Sequence, residues 1–185
     1  MRITSGSLKG RKLVSPGVKN LRLTEAKVRK AIFDILADSI EGSSVLELFA
    51  GSGVLGIEAF SRGAGEVTFV DNNPRCIEAI RENIPQEFRE KSHILFQDYL
   101  EAIDHLDNLN KKFDLVILDP PYKKGLALLS LKKICQCCIL KHYAIIVIEH
   151  HLVDDLDNAA LDKLQLISRK RYGDTGLTLF RFRAV

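Results

Sequence analysis

Four consecutive residues, Asp119-Pro120-Pro121-Tyr122, carry the chemistry needed to handle an exocyclic amine on a nucleobase. The lone pair of such a nitrogen is delocalised into the ring. It is freed when two acceptors hold both N–H hydrogens out of the ring plane. The Asp119 carboxylate and the Pro120 carbonyl are two such acceptors. Pro120 and Pro121 lack N–H groups and have fixed φ, so the loop is stiff and its carbonyls can point inward. The Tyr122 ring offers a face on which a base can stack, worth about 1–3 kcal/mol. The positive product amine loses its proton easily, so no strong base is required. Acceleration then comes mainly from in-line positioning of the reacting atoms.

A second cluster binds rather than reacts. Within Glu47 to Gly56, Gly51, Gly53 and Gly56 fit the spacing G-x-G-x-x-G. Such glycines let the backbone turn tightly and approach a ligand, and the following helix starts with free N–H groups aimed at the site. Asp71 lies 20 residues after Gly51, where an acid can accept hydrogen bonds from both hydroxyls of a ribose. Together these predict an adenosine-bearing ligand, either a nicotinamide dinucleotide or S-adenosylmethionine. Glu47, on the approach to the glycine loop, would repel a pyrophosphate but suits a cationic amino-acid tail. Gln97-Asp98 could meet an adenine amine. Asp98 could equally be a helix N-cap.

These residues must be placed by regular elements. Apolar runs at Val45–Phe49, Val67–Val70, His93–Phe96, Phe113–Leu118 and Ala144–Glu149 read as strands. Helical patterns at Val54–Arg62, Pro74–Ile84, Tyr99–Leu109 and Leu126–Leu140 alternate with them. That alternation predicts parallel βαβ units in a doubly wound α/β sheet, and nearly all-apolar strands fit burial on both faces. Leu164–Tyr172 and Leu177–Arg183 flank the turn formers Gly173–Gly176, so the last strand is expected to be antiparallel. In an open sheet of this kind ligands bind beyond the carboxyl ends of the strands, where strand order reverses. Asp71 and Asp119 each fall at a strand end. Upstream, residues 1–20 read as a small hairpin or extended arm, and Thr24–Ile40 as an amphipathic helix capped by Thr24. The one plausible boundary lies near Gly42. It divides a basic arm and helix, residues 1–41, from an α/β body, residues 42–185.

The chain has 185 residues, 46% apolar and 28% charged, enough for one ordinary core. Net charge is +3, but residues 1–30 hold nine basic side chains and one acid, while the rest is net acidic. A basic arm on a mildly acidic body points to a polyanionic partner, and six or more phosphate contacts would make a salt-sensitive anchor. No apolar run approaches the length of a membrane helix, and the N-terminus has no secretory h-region. Cys135, Cys137 and Cys138 are too crowded for a disulfide framework, so a reducing, cytoplasmic location is expected. They have no second pair to complete a zinc site and read as small apolar side chains. Glu149-His150-His151 makes a poor chelate, since adjacent strand residues face opposite ways. No metal is expected. Lys123, Lys124 and the basic residues of the final hairpin (Arg169, Lys170, Arg171, Arg181, Arg183) read equally well as solvated charge or as further surface for that polyanion.

With these residues in place, the chain resembles a class I S-adenosylmethionine-dependent methyltransferase of the amine-methylating (D/N)PPY group, and within it the RsmD family. The marks are Gly6–Leu13, Arg22–Leu36, Leu46–Ala64, Asp119–Tyr122 and Tyr172-Gly-Asp-Thr175, spanning nearly the whole chain. The resemblance implies a Rossmann-like methyltransferase sheet with an antiparallel last strand. It also implies methyl transfer to the exocyclic N2 of a guanine in small-subunit (16S) ribosomal RNA, free or in an assembling particle, by a monomer. Asp119, Pro120, Pro121 and Tyr122 would hold the guanine. Glu47, Phe49, Ala50, Gly51, Ser52, Gly53, Asp71, Asn72, Asp98 and Tyr99 would hold the cofactor. Arg2, Lys9, Arg11, Lys12, Arg22, Thr24 and Arg29 would grip RNA. Leu23 and Ala26 depart from the family pattern, both on the RNA-facing side. Two other readings compete: the same chemistry on adenine N6 or a protein glutamine, and a non-catalytic RNA-binding relic of a cofactor fold.

Overall fold

The computed structural model describes residues 1–18, 24, 26–122, 125–154, 156 and 162–183. The elements are α1 (Ala26–Leu36), β1 (Ser44–Leu48), α2 (Val54–Ser61), β2 (Glu66–Asp71), α3 (Pro74–Asn83) and β3 (Ser92–Phe96). They continue with α4 (Tyr99–Asn108), β4 (Phe113–Leu118), α5 (Leu126–Gln136), β5 (Leu140–His151), β6 (Leu164–Tyr172) and β7 (Thr175–Phe182). The strands form one seven-stranded sheet in the order β3-β2-β1-β4-β5-β7-β6. The first five are parallel, and β7 is antiparallel to both β5 and β6. The doubly wound α/β sheet with an antiparallel end is the architecture expected from the sequence.

The period of two along each strand builds two cores from one sheet. On β4, Leu115 and Ile117 pack with the arm, α1, α2 and α3, while Val116 and Leu118 pack with α4 and α5. Both β1 and β4 are buried almost throughout, which explains their apolar sequence. Where helices start, the caps are local. The Asn73 side chain accepts from the Arg75 N–H, with Pro74 at the first helical position. The Asp98 side chain accepts from Leu100 N–H at 3.0 Å, so Asp98 caps α4 as one reading of it predicts. Gly56 sits against β2. A Cβ there would lie 2.4 Å from the Phe69 ring and 2.8 Å from Glu47 Oε2, so only glycine permits this helix–strand approach.

Helix α1 runs from Ala26 to Leu36 and not from Thr24 to Ile40: a 3-10 turn takes over at Ala37–Ser39, and the Thr24 hydroxyl, expected as the cap, is turned to Asp119. Three other boundaries differ from the sequence reading by more than one residue. Helix α5 stops at Gln136, not Leu140, and Cys137 turns extended because Ile139 accepts the Phe113 N–H and Leu140 joins the sheet. Strand β5 is twelve residues long and carries a bulge, with Tyr143 at φ +64° and a register shift opposite Phe113–Leu115. The final hairpin turns in two residues, since Tyr172 pairs with Thr175 across Gly173-Asp174. Gly173 at φ +59° supplies the positive φ that so tight a turn needs.

The N-terminal arm is a small hairpin joined by an antiparallel bridge between Arg2 and Lys12. Ile3 and Leu13 plug into the core at 2% and 3% exposure, each worth about 1.5–3 kcal/mol of burial. Between them, the fully buried Glu58 of α2 accepts from Thr4 N–H at 2.8 Å, Thr4 Oγ1 at 2.6 Å and Ser5 N–H at 3.0 Å, and pairs with Arg62. A buried carboxylate is tolerable only with such partners. Gly6, at φ +79°, approaches α2 so closely that a Cβ would overlap the Ser61 carbonyl. Asn83 straps the end of the arm, accepting from Val14 N–H at 2.7 Å and donating to Val14 O and Ser52 O. Among the described residues no helix is long and apolar enough to cross a membrane.

Candidate active site

Strand order reverses at β1. From it the chain steps outward to β2 and β3, then returns to place β4 on the other side. The crevice beyond the carboxyl ends of β1, β2 and β4 is where a ligand can enter. A cavity opens there, lined by Glu47 from β1, by Phe49, Ala50, Gly51 and Ser52 from the β1–α2 loop and by Asp71 and Asn72 from the end of β2. Asp98 and Tyr99 line it after β3, and Asp119 and Pro121 after β4. Two sets of residues expected to act together, the glycine loop and the acid–proline corner, therefore share one cavity. Gly53 and Pro120 stand behind the wall: Gly53 caps α2 at φ +73°, and Pro120 is buried.

The glycine-loop side is fixed by two carboxylates that bind backbone N–H groups. Asp71 Oδ2 accepts from Gly51 N–H at 2.8 Å and Oδ1 from Asn73 N–H at 2.9 Å, tying the loops after β1 and β2 together. Glu47, 2% exposed, accepts from Leu55 N–H at 3.2 Å and Gly56 N–H at 2.9 Å in the first turn of α2. Burial pushes its carboxyl from the ordinary 4.5 up to about 8 against the pull of those two N–H groups, and Asp119 and Asp71 add to the rise. Phe49 has φ +59°, a conformation non-glycine residues avoid, and its ring packs 4.9 Å from that of Tyr99. Burial pushes the Cys76 thiol, beside Asp71, up to about 12, so it is an inert wall group.

The other side is held from a distance. Thr24 Oγ1 donates to Asp119 Oδ2 at 2.7 Å. The Tyr122 hydroxyl lies 3.1 Å from Glu149 Oε1 on β5 and 3.1 Å from Thr175 Oγ1 on β7, and its ring meets His151 edge-on at 5.5 Å. Tyr122, expected as a stacking platform, is thus anchored to the sheet and lies outside the described cavity wall. His150 is spent on structure. Its Nδ1 lies 2.9 Å from the His151 carbonyl, which can only accept, so Nδ1 carries the proton and Nε2 accepts from Thr178 Oγ1 at 2.9 Å. Burial lowers its pKa below the usual range.

The residues expected to grip RNA divide. Arg2, Lys9, Arg11 and Lys12 are exposed on the arm. Thr24 and Arg29 are not available to phosphate: each is 3% exposed. The Arg29 guanidinium donates to Thr24 O at 2.6 Å and Arg2 O at 2.9 Å. Its place on the apolar face of α1, between Val28 and Ile32, turns it inward. Arg22, Leu23, Lys123 and Lys124 lie outside the described residues.

Several wall residues escaped the sequence reading: Val54, Leu55, Val70, Asn73 and Cys76 line the cavity, and Thr24 lines it as well as holding Asp119. Glu149 and Thr175 were not foreseen as anchors of Tyr122. The only signal for these long-range partners is that Thr24 and Thr175 fall inside segments singled out by the resemblance.

Residues 1–181 match the family model described as conserved hypothetical protein 95. YlbH of Bacillus subtilis (strain 168), provisionally described as an rRNA methyltransferase, is 33% identical over 184 residues, 99% of this chain and 100% of that protein. Ribosomal RNA small subunit methyltransferase D of Haemophilus influenzae is 34% identical over 152 residues, 80% of this chain and 78% of that protein. Among solved structures, yhhF of Escherichia coli, provisionally described as a methyltransferase, superposes with a TM-score of 0.85 at 28% identity, over 100% of this chain and 99% of that one. The match over nearly the full length, with glycine loop, acid–proline corner and arm on one sheet, places this chain in the conserved hypothetical protein 95 family, the RsmD family of the sequence resemblance.

Proposed function

We propose that this protein transfers a methyl group from S-adenosylmethionine to the exocyclic N2 of a guanine in small-subunit ribosomal RNA. The observation that carries the reading is the shared cavity: Asp119 and Pro121 face the same space as Phe49, Gly51 and Asp71. The relatives named as ribosomal RNA methyltransferases support RNA as the substrate.

The residues fit the cofactor. Among the described residues, those lining the cavity include the acids Asp71, Asp98 and Asp119, the buried carboxyl of Glu47, and no Lys or Arg. Such a wall disfavours a pyrophosphate and favours a ligand with cationic groups. Gln97 Oε1 is buried without a hydrogen-bond partner among the described residues, in the wall beside Asp98. An amine donor such as that of adenine answers an orphaned acceptor of this kind. Glu47 and the Phe49–Ser52 loop would hold the cationic tail, Asp71 and Asn72 the ribose, and Gln97 and Asp98 the adenine, between Phe49 and Tyr99. When bound, the cofactor supplies an electrophilic methyl carbon on a sulfonium.

The chain's own residues do the rest. Asp119 accepts one hydrogen of the guanine amine and the Pro120 carbonyl accepts the other, so the nitrogen lone pair turns out of the ring plane toward the cofactor side. Pro121 walls the entry, and Tyr122, tied to β5 and β7, keeps the corner from rotating. Residues 1–41, with Arg2, Lys9, Arg11 and Lys12 exposed, form the RNA-contacting part and residues 42–185 the transfer body. The base must leave its stack to reach Asp119, at a cost of a few kcal/mol that is least for an unpaired base.

The test is mass-spectrometric nucleoside analysis of small-subunit ribosomal RNA from cells with and without this protein. Loss of N2-methylguanosine is the expected result. Loss of N6-methyladenosine instead, or of methylated glutamine in protein, would move the same chemistry to another amine. Absence of heat on calorimetric titration with S-adenosylmethionine would leave only an RNA-binding relic.

A further inference from the structure

We infer that Thr24 is a positioning residue for the transfer reaction: its hydroxyl sets the plane of the Asp119 carboxylate, and Arg29 in turn sets Thr24. This rests on the role given above to Asp119. The terminal torsion of an aspartate is broad, so a carboxylate on a loop needs an external donor to hold its plane. Thr24 Oγ1 supplies one at 2.7 Å from Oδ2, across 95 residues of sequence. A hydrogen bond to an ionised oxygen at that length is of the strong, charge-assisted kind. Thr24 also lies in the cavity wall, so the donor stands where the substrate amine must come.

Thr24 is itself held. The Arg29 guanidinium spans the carbonyls of Thr24 and Arg2, which lie just ahead of α1 and at the start of the arm. A planar fork can hold two carbonyls at once, where an ammonium acts as a point charge. Arg29 is 3% exposed, and its Nε has no partner among the described residues. Burying a guanidinium incompletely satisfied is costly, and of the two bonds it does make one fixes Thr24 and the other ties it to Arg2 of the arm. Three hydrogen bonds thus run from the arm, through Arg29 and Thr24, to the carboxylate that meets the amine.

The test uses the full chain with methyl-labelled S-adenosylmethionine and small-subunit ribosomal RNA, both protein-free and as partly assembled particles. Thr24→Val keeps the shape and removes the donor. It should lower kcat by about ten- to a hundredfold, the scale of a misplaced reacting group. The calorimetric Kd for S-adenosylmethionine and the midpoint of thermal unfolding should stay near the parent values. Thr24→Ser, which keeps the hydroxyl, should return kcat to within about threefold of the parent. Arg29→Lys should fall between the two. In an Asp119→Ala background, Thr24→Val should have no further effect. Should Thr24→Val fail to fold, Thr24→Cys, with only a weak donor, takes its place. A parental kcat in Thr24→Val overturns the inference. So does a loss that persists undiminished in the Asp119→Ala background, or one that appears in cofactor affinity instead of kcat. Parental activity in Asp119→Ala alone would overturn the role of Asp119, and with it the proposed reaction.

Discussion

The wall of the cleft built by the glycine loop is tied to its own neighbourhood, whereas the wall built by Asp119–Tyr122 is tied to distant parts of the chain. On the first, Asp71 holds Gly51 and Asn73, and Glu47 holds Leu55 and Gly56, all within residues 47–73. Its donors are backbone N–H groups, which no substitution short of proline removes. On the second, Asp119 is held by Thr24, and Tyr122 by Glu149 and Thr175, at sequence separations of 95, 27 and 53. Its donors and acceptors are side chains. The first wall is a scaffold whose damage should be read as lost stability and lost ligand. The second is a set of aimed groups whose damage should be read as lost rate.

The largest expected effect breaks the comparison if it fails. Asp119→Ala should lower methyl transfer about a thousandfold, the scale seen when a preorganised polar group is removed from a reacting centre. Affinity for S-adenosylmethionine by calorimetry should barely change, and a drop in activity below tenfold would count against the division between the walls. Gly56→Ala tests the scaffold side. A Cβ placed 2.4 Å from the Phe69 ring and 2.8 Å from Glu47 Oε2 should lower unfolding stability by about 1–3 kcal/mol, read by urea denaturation. Tyr122→Phe deletes one hydroxyl that meets both Glu149 and Thr175. It should reduce kcat by about three- to tenfold, the equivalent of 0.5–1.5 kcal/mol for one hydrogen-bonding group, with little shift in thermal midpoint.

Replacing Lys9, Arg11 and Lys12 together by Ala touches neither wall. It should flatten the salt dependence of RNA binding by about two to three charges and leave S-adenosylmethionine binding as it was. An unchanged slope in a filter-binding titration would move the phosphate contacts elsewhere. A pH dependence of stability tests the scaffold side once more. The Glu47 carboxyl is held at about 8 in the folded chain against an ordinary 4.5. Between those values the folded chain keeps a proton that the unfolded chain releases, so stability falls as pH rises from about 4.5 to about 8 and levels off beyond. Glu47→Gln, which keeps one acceptor for the helix N–H groups, should flatten that slope in thermal melts.

The same contrast governs what could be read from the residues alone. The sheet, its antiparallel end and the cavity wall from Phe49 to Asp71 follow from patterns shorter than about 30 residues, within reach of hydrophobic period and glycine spacing. Asp98 was legible both as a cap and as a site residue because both uses depend on its place just after β3. Thr24 and Arg29, expected as RNA contacts because a basic, polar stretch looks solvent-facing in sequence, lie buried. Arg29 sits on the inward stripe of α1, and nothing in a local pattern tells a guanidinium that clasps carbonyls from one that meets phosphate. Tyr122 was legible as part of the corner, but not its anchor, because Thr175 enters the neighbourhood only through the order β4-β5-β7.

That strand order also dictates when the enzyme can exist during its own synthesis. The loop around Gly51 has its Asp71 and Glu47 bonds once residue 73 has emerged, gains the bond from Asn83 to Ser52 next, and the packing of Phe49 on Tyr99 soon after. Tyr122 must wait for Thr175, ten residues from the end of the chain. A nascent chain therefore completes its glycine loop long before its acid–proline corner is braced.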